Sequence, residues 1–277
     1  MPELPEVEVI RVKTAPFLLG RIVAQVRTSS AVQPFLTRPA ALKKQLAGRR
    51  VESLERAGKY LLIGFDQDWR LLIHLGMTGR LFVAQVSGSP DLKSKPDPHT
   101  HLRLSFKDGG PEVCLRDPRK FGRVLLLAPG ETCPRLQRLG KDALVASGQE
   151  LFSASRKRKI AIKSLLMDQS IIAGIGNIYA DEALFISGIS PSRKAGWLTQ
   201  QECARLIRSA KRVLARAIRA GGSSISDYLH PDGGAGQYQN HLLVYGRAGE
   251  PCVNCGAAIA RAVIGQRSSH YCPRCQA

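Results

Sequence analysis

Acidic residues are scarce in this chain. Its 277 residues hold 22 Asp and Glu against 41 Lys and Arg, a formal net charge of +19 with a pI near 10.1. Positive charge in this excess points to a polyanionic partner, nucleic acid first, with a basic surface kept for solubility as the alternative. Long apolar runs are missing as well. The longest, around Val124 to Ala128, suits a buried strand and falls far short of the ~18 residues that a membrane span needs. The opening Met1-Pro2-Glu3-Leu4-Pro5-Glu6 lacks a basic stretch followed by an apolar one, so no secretory signal is expected. Internal repeats and low-complexity tracts are absent too. Hydrophobic residues at 44% and charged residues at 23% exclude global disorder, and the length admits one large domain or two ordinary ones.

The pattern of what is present changes along the chain. A short helix is predicted from Glu6 to Leu18. Short alternating runs then predict strands at Arg21 to Thr28, Val51 to Arg56, Tyr60 to Phe65, Leu71 to Leu75, His101 to Phe106, Glu112 to Leu115 and Arg123 to Leu127. Turn signals such as Ala57-Gly58 and Asp108-Gly109-Gly110-Pro111 separate them, which indicates an antiparallel sandwich or barrel. Ser87 to Pro98, rich in Ser, Pro, Asp and Lys, reads as a long exposed loop. From about Glu131 the period becomes helical. Thr199 with Glu202 forms a capping box before apolar residues spaced by three and four, and Gly221-Gly222 stops that helix. A further helix is expected from Lys159 to Gln169. The expected domains are 1–130, 131–240 and 241–277.

Cysteine use is uneven. Cys114, Cys133 and Cys203 are scattered, whereas Cys252, Cys255, Cys272 and Cys275 crowd the last 26 residues. Two Cys-x-x-Cys knuckles at this separation in a reducing compartment predict one structural zinc per chain, since four thiolates leave no open coordination site for catalysis. The residues between them predict a hairpin turning near Gly265-Gln266-Arg267, a rigid finger suited to a DNA groove. Upstream, Ile172-Ala173-Gly174-Ile175-Gly176-Asn177 predicts a tight turn, with Asn177 capping the next helix and backbone N–H groups free for phosphate. An ordinary packed helix-turn-helix is the other reading of that turn. The neighbouring run Arg156-Lys157-Arg158-Lys159 with Lys163 favours the phosphate role.

The amino terminus carries a third signal. With Met1 removed, Pro2 would present a secondary amine that titrates near ~7.7, well below lysine at ~10.4. Attack on a sugar C1′ would give an iminium, an electron sink that favours loss of the 3′ phosphate by β-elimination. Taken alone, Pro2 and Glu3 read equally as the start of a helix whose dipole Glu3 complements.

Met1-Pro2-Glu3-Leu4-Pro5-Glu6-Val7-Glu8 resembles the opening of the bacterial formamidopyrimidine-DNA glycosylase (Fpg/MutM) family. So do Gly58-Lys59-Tyr60-Leu61-Leu62, His74-Leu75-Gly76-Met77-Thr78-Gly79, Asp117-Pro118-Arg119-Lys120-Phe121-Gly122, the turn from Gly174 to Tyr179 and the terminal four-cysteine module, in order along essentially the whole chain. The resemblance implies an α+β fold: an N-terminal antiparallel β-sandwich, then a helical domain with a helix-two-turns-helix and a β-hairpin zinc finger. It implies a DNA glycosylase and apurinic/apyrimidinic lyase of base excision repair, acting on 8-oxoguanine and formamidopyrimidines in double-stranded DNA. Pro2 is then the Schiff-base nucleophile, Glu3 the acid that helps open the sugar, Lys59 a proton donor and Arg267 the residue of the δ-elimination step. His99, Arg158, Asn177 and Tyr245 become DNA-backbone contacts, although His99 and His101 read without the family are exposed loop residues. Met77, Phe121 and Arg119 fill the hole left by a flipped base, whereas composition alone makes Met77 and Phe121 core residues. A monomer, no membrane partner and a cytoplasmic, nucleoid-associated location complete the expectation. Lys120 stands where the family usually repeats Arg, and His270 where an aromatic residue is more usual. Two alternatives are an endonuclease VIII-like enzyme for oxidised pyrimidines, which usually has Gly in place of Leu4, and a non-catalytic zinc-ribbon protein, which would not need Pro2, Glu3 and Lys59.

Overall fold

Alternating apolar side chains build the first part of the chain into strands. The structure, a computed structural model, describes residues 1–84, 97–225 and 227–277. Most of the expected loop at Ser87 to Pro98 therefore lies outside the described residues. Two compact units emerge: Met1–Leu136 with Gly221–Gln237, and Gln137–Ala220 with Tyr238–Ala277.

The first unit opens with α1 (Leu4–Thr14), shorter than predicted because the chain tightens at Ala15–Phe17, where Pro16 offers no N–H. One antiparallel sheet orders β1 (Val23–Thr28), β6 (Thr100–Phe106), β7 (Glu112–Arg116) and β5 (Arg80–Ala84). The other orders β2 (Val51–Ala57), β3 (Tyr60–Phe65), β4 (Arg70–His74) and β8 (Arg123–Leu127). Leu61, Ile63 and Phe65 of β3 and Leu102, Leu104 and Phe106 of β6 meet in one core with Val7 and Ile10 of α1, which makes the pair of sheets a sandwich. Each such side chain contributes roughly 1.5–3 kcal/mol on burial. A second cluster, Leu72, Leu127 and Cys133, covers the outer face of β4 and β8, which explains their unbroken apolar runs. Two elements escape the sequence pattern. β5 is buried along four of its five residues and so lacks alternation. α2 (Pro39–Leu46) buries only Leu42 and Leu46.

Gly221–Gln237, expected within the helical domain, belongs to this first unit. Tyr228 enters the sandwich core, Val83 N–H donates to Pro231 O at 3.0 Å, and Lys13 pairs with Asp232 at 2.8 Å.

The second unit follows the single turn α3 (Pro134–Gln137) and is helical. It comprises a small parallel pair, β9 (Lys141–Asp142) and β10 (Ile172–Ala173), with α4 (Gly148–Ser155), α5 (Ile162–Leu166), α6 (Asn177–Ser187) and α7 (Gln200–Arg219). Capping boxes start α4 at Ser147/Glu150 and α7 at Thr199/Glu202. α7 packs on α4 and α6 through Leu206, Ile207, Ala210, Val213 and Leu214. α5 is half the predicted length. Ile160 is drawn into a backbone bond with Ala195 at one end, and Asp168 folds back on the Ser170 N–H and hydroxyl at the other. Two turns then join α5 to α6. The chain closes with the antiparallel hairpin β11 (Ala260–Ile264) and β12 (Arg267–Tyr271).

Candidate active site and nucleic-acid interface

In the first unit, Pro2 and Glu3 are buried immediately before α1. The Glu3 N–H donates to the Glu6 carboxylate at 2.9 Å, and the other Glu6 oxygen accepts the Ser223 N–H at 2.8 Å. One carboxylate thus ties the chain start to the returning segment. Gly222 has φ +80°, and a Cβ there would lie 3.0 Å from Glu6 Oε1, so only glycine lets that segment approach so closely.

Lys59 is buried in the two-residue turn between β2 and β3, after Gly58 with φ +57°. Arg56 positions that turn. It donates to Glu8 at 2.8 Å and to Gly58 O at 3.1 Å, which links α1 to the hairpin end. Burial of Glu8 opposes its ionisation, but Arg11 and Arg56 outweigh this and hold its carboxyl below the usual range. Neither Glu8 nor Arg56 was singled out by sequence, since 48 residues separate them. Burial first, and then the charge of Lys59, push His74 down to about 4. Its Nδ1 accepts the Gly76 N–H at 3.1 Å, the neutral form.

Asp117 organises a platform. Its carboxylate accepts Thr78 Oγ1 at 2.6 Å and the Gly122 N–H at 2.7 Å, joining two loops that the sequence separates by 39 residues. A Cβ on Gly76, which has φ +63°, would lie 2.5 Å from the Phe121 carbonyl carbon, so the loops touch backbone to backbone. On this platform Met77 and Phe121 are 42% and 48% exposed, and the Arg119 guanidinium stacks 4.8 Å from the Phe121 ring centroid. Composition placed both apolar residues in the core; the structure corrects this. His99 is half-buried at the entry to β6, its carbonyl accepting the Asp117 N–H at 2.8 Å. His101 is fully buried between Ser29 and the Asp117 carbonyl, a structural residue and not an exposed one.

In the second unit, Gly176 is the N-cap of α6 and Asn177 is its first residue, so Asn177 does not cap as predicted. Its side-chain amide instead donates to Ser268 O of the hairpin at 3.0 Å. Gln169, carrying no sequence signal, holds the preceding turn through bonds to Met167 O, Ile175 O and the Gly174 N–H. Arg158 is exposed, whereas Lys163, grouped with it by sequence, is buried. Lys163 Nζ lies 2.6 Å from Asp181 and donates to Ser268 O and Ser269 Oγ, while Asp181 accepts the His270 N–H at 2.9 Å. This buried knot seats β12 against α5 and α6. Glu182 accepts the N–H groups of Leu243, Val244 and Tyr245, each at 2.9 Å, and the Tyr245 ring meets His270 edge-on at 5.1 Å. Arg267 is exposed at the start of β12, paired with Ile264 across the Gly265-Gln266 turn.

The sulfurs of Cys252, Cys255, Cys272 and Cys275 all lie within 4.8 Å of one another. A tetrahedral zinc with its usual sulfur distances sets them ~3.8 Å apart, and the Cys252–Cys275 and Cys255–Cys272 pairs stand at 3.9 and 3.5 Å. Hydrogen bonding from Cys255 and the other crowded sulfurs pushes the Cys275 thiol up to about 12, a penalty that a bound dication removes. The donor set fits one structural zinc.

The family model described as the formamidopyrimidine-DNA glycosylase N-terminal domain matches residues 1–124. That of its H2TH domain matches 139–228, and a zinc finger found in FPG and IleRS matches 249–277. The chain belongs to the formamidopyrimidine-DNA glycosylase family. The formamidopyrimidine-DNA glycosylases of Acidithiobacillus ferrooxidans and Stenotrophomonas maltophilia are 44% and 42% identical to it, over 100% of both chains in each case. Among solved structures, MutM (Fpg) from Thermus thermophilus has a TM-score of 0.86 at 38% identity, covering 99% of this chain and 98% of that one. A Lactococcus lactis Fpg variant complexed with Fapy-dG-containing DNA has a TM-score of 0.89 at 32% identity, covering 99% of each chain. No helix among the described residues is long and apolar enough to cross a membrane.

Proposed function

We propose that this glycosylase excises 8-oxoguanine and formamidopyrimidines from duplex DNA and then cleaves the strand by β,δ-elimination. The observation that carries the reading is the exposed pair Met77 and Phe121, held on the Asp117 platform with Arg119 stacked above. Exposing two large apolar side chains on a hydrogen-bonded support has a use when a base leaves the stack and the gap must be filled. A protein that binds DNA without flipping a base has no need of them.

In this reading the Pro2 amine, freed by loss of Met1, attacks C1′ of the damaged nucleotide. Glu3 protonates the sugar as its ring opens, and Lys59 donates a proton near the leaving base. The iminium acidifies the C2′–H, and loss of that proton feeds electrons toward C3′. The C3′–O bond breaks with its electron pair leaving on the 3′ phosphate, and Arg267 assists the second elimination. His99, Arg158, Asn177 and Tyr245 hold phosphates, and zinc keeps the Arg267 hairpin rigid. The enzyme acts as a monomer on the cytoplasmic chromosome. Borohydride trapping on an 8-oxoguanine duplex tests the reading. A covalent adduct is expected, and binding without an adduct or excision would favour the non-catalytic alternative. Preferential release of thymine glycol would favour the endonuclease VIII-like one.

A further inference from the structure

Arg205, Arg208, Arg212, Arg216 and Arg219 of α7 are all exposed. Their spacing places them within an arc of about 80° along roughly 21 Å of helix. The opposite side of the helix buries Leu206, Ala210, Val213 and Ala217 against α4 and α6. The stripe therefore faces away from α6, whose first residue, Asn177, bonds the hairpin. Glu202 is the one acidic residue on α7, and it pairs with Arg193 at 2.6 Å. Among the described residues none of the five arginines forms an ion pair.

Like charges at these spacings repel along a helix, and a surface made only for solubility intersperses both signs. A row of arginines, each able to grip phosphate with two parallel N–H groups, matches a polyphosphate backbone better than bulk water. At its C-terminal end the stripe opens on a cleft of about 520 Å³, where Arg216 and Arg219 share the wall with His241 and Tyr238.

We propose that this face of α7 binds the backbone of a second DNA duplex while the first occupies the lesion site. The partner is undamaged duplex of any sequence, because the stripe offers phosphate contacts alone. The enzyme then holds two segments at once and passes between them without full release. This step rests on the glycosylase reading only in that the first duplex is the lesion substrate.

The test saturates the protein with an unlabelled duplex carrying a stable abasic-site analogue and titrates in a fluorescent undamaged duplex, followed by anisotropy. A second binding event is expected. In the triple variant R208Q/R212Q/R216Q it should weaken tenfold or more, and its salt slope should flatten by about 3. Excision from 8-oxoguanine duplex should be unchanged, and far-UV helix content will report that α7 still folds. No second event in the unsubstituted protein, or one equally strong in the variant, would overturn the proposal. So would equal weakening of the first duplex, which would assign the stripe to the lesion-binding interface. Capture of phosphatidylglycerol vesicles without capture of a second duplex would overturn it in favour of a membrane surface. Failure to bind the first duplex at all would count against the glycosylase reading instead.

Discussion

The Glu6 carboxylate accepts the backbone N–H of Ser223 at 2.8 Å, tying the first turn of the chain to a segment more than two hundred residues away. The same carboxylate accepts the Glu3 N–H, so two buried donors depend on one side chain. Glu6→Ala leaves both unsatisfied, and each such group costs roughly 1–3 kcal/mol. Expected outcomes are a stability loss of ~2–6 kcal/mol and faster amide exchange at Ser223. Unchanged protection at Ser223 would show that this bond does not hold the segment.

Met77 and Phe121 are exposed, so removing them spares the fold and tests their use. Flipping a base costs a few kcal/mol, and filling the vacated stack offsets part of it. The double variant M77A/F121A should lose about ten- to hundredfold in 8-oxoguanine excision, since each ~1.4 kcal/mol is tenfold. Cleavage at a preformed abasic site should change little, because no base remains to be displaced. Equal losses on both substrates would assign these residues to general DNA binding.

Zinc should act through folding. Cys252→Ser removes one of four ligands and is expected to abolish DNA binding while sparing the thermal transition of the β-sandwich, whose core holds none of the four cysteines. Metal analysis should give one zinc per chain. A purified protein that binds DNA without zinc would contradict this role.

His74 is held down to about 4 in the fold, against an ordinary value of 6.5. Between these values the unfolded chain takes up a proton that the folded chain refuses. Stability is therefore complete above pH ~6.5 and is lost as pH falls toward 4, by at most about 3 kcal/mol. His74→Gln, which can still accept the Gly76 N–H, should flatten the denaturant midpoint across that window. An unchanged slope would show that other groups dominate it.

Much of this was legible in the residues. Alternation at Tyr60–Phe65, the Thr199/Glu202 box and the two cysteine pairs rest on local periodicity and spacing, and local physics formed what they predicted. The rest depends on partners far apart in the chain. Lys163 sits in a basic run and reads as solvated, yet Asp181 and the hairpin bury it. Asn177 looks like a cap until Ser268 draws its amide away. Met77 and Phe121 look like core because hydrophobicity says nothing about which apolar residue a function keeps outside. The Gly221–Gln237 segment follows a helix in sequence but packs on the sandwich through Tyr228, a single aromatic without periodic company.

If the Pro2 amine performs the chemistry, activity depends on the state of Met1. Mass spectrometry should first establish the N-terminus, and borohydride trapping on an 8-oxoguanine duplex should then be compared for processed and Met1-retaining protein. Processed protein should form an adduct that maps to the N-terminal peptide. Protein retaining Met1, with Pro2 locked in an amide, should bind the duplex yet show neither base excision nor strand cleavage. An adduct on Lys59, or normal cleavage by the Met1-retaining form, would contradict Pro2 as the nucleophile.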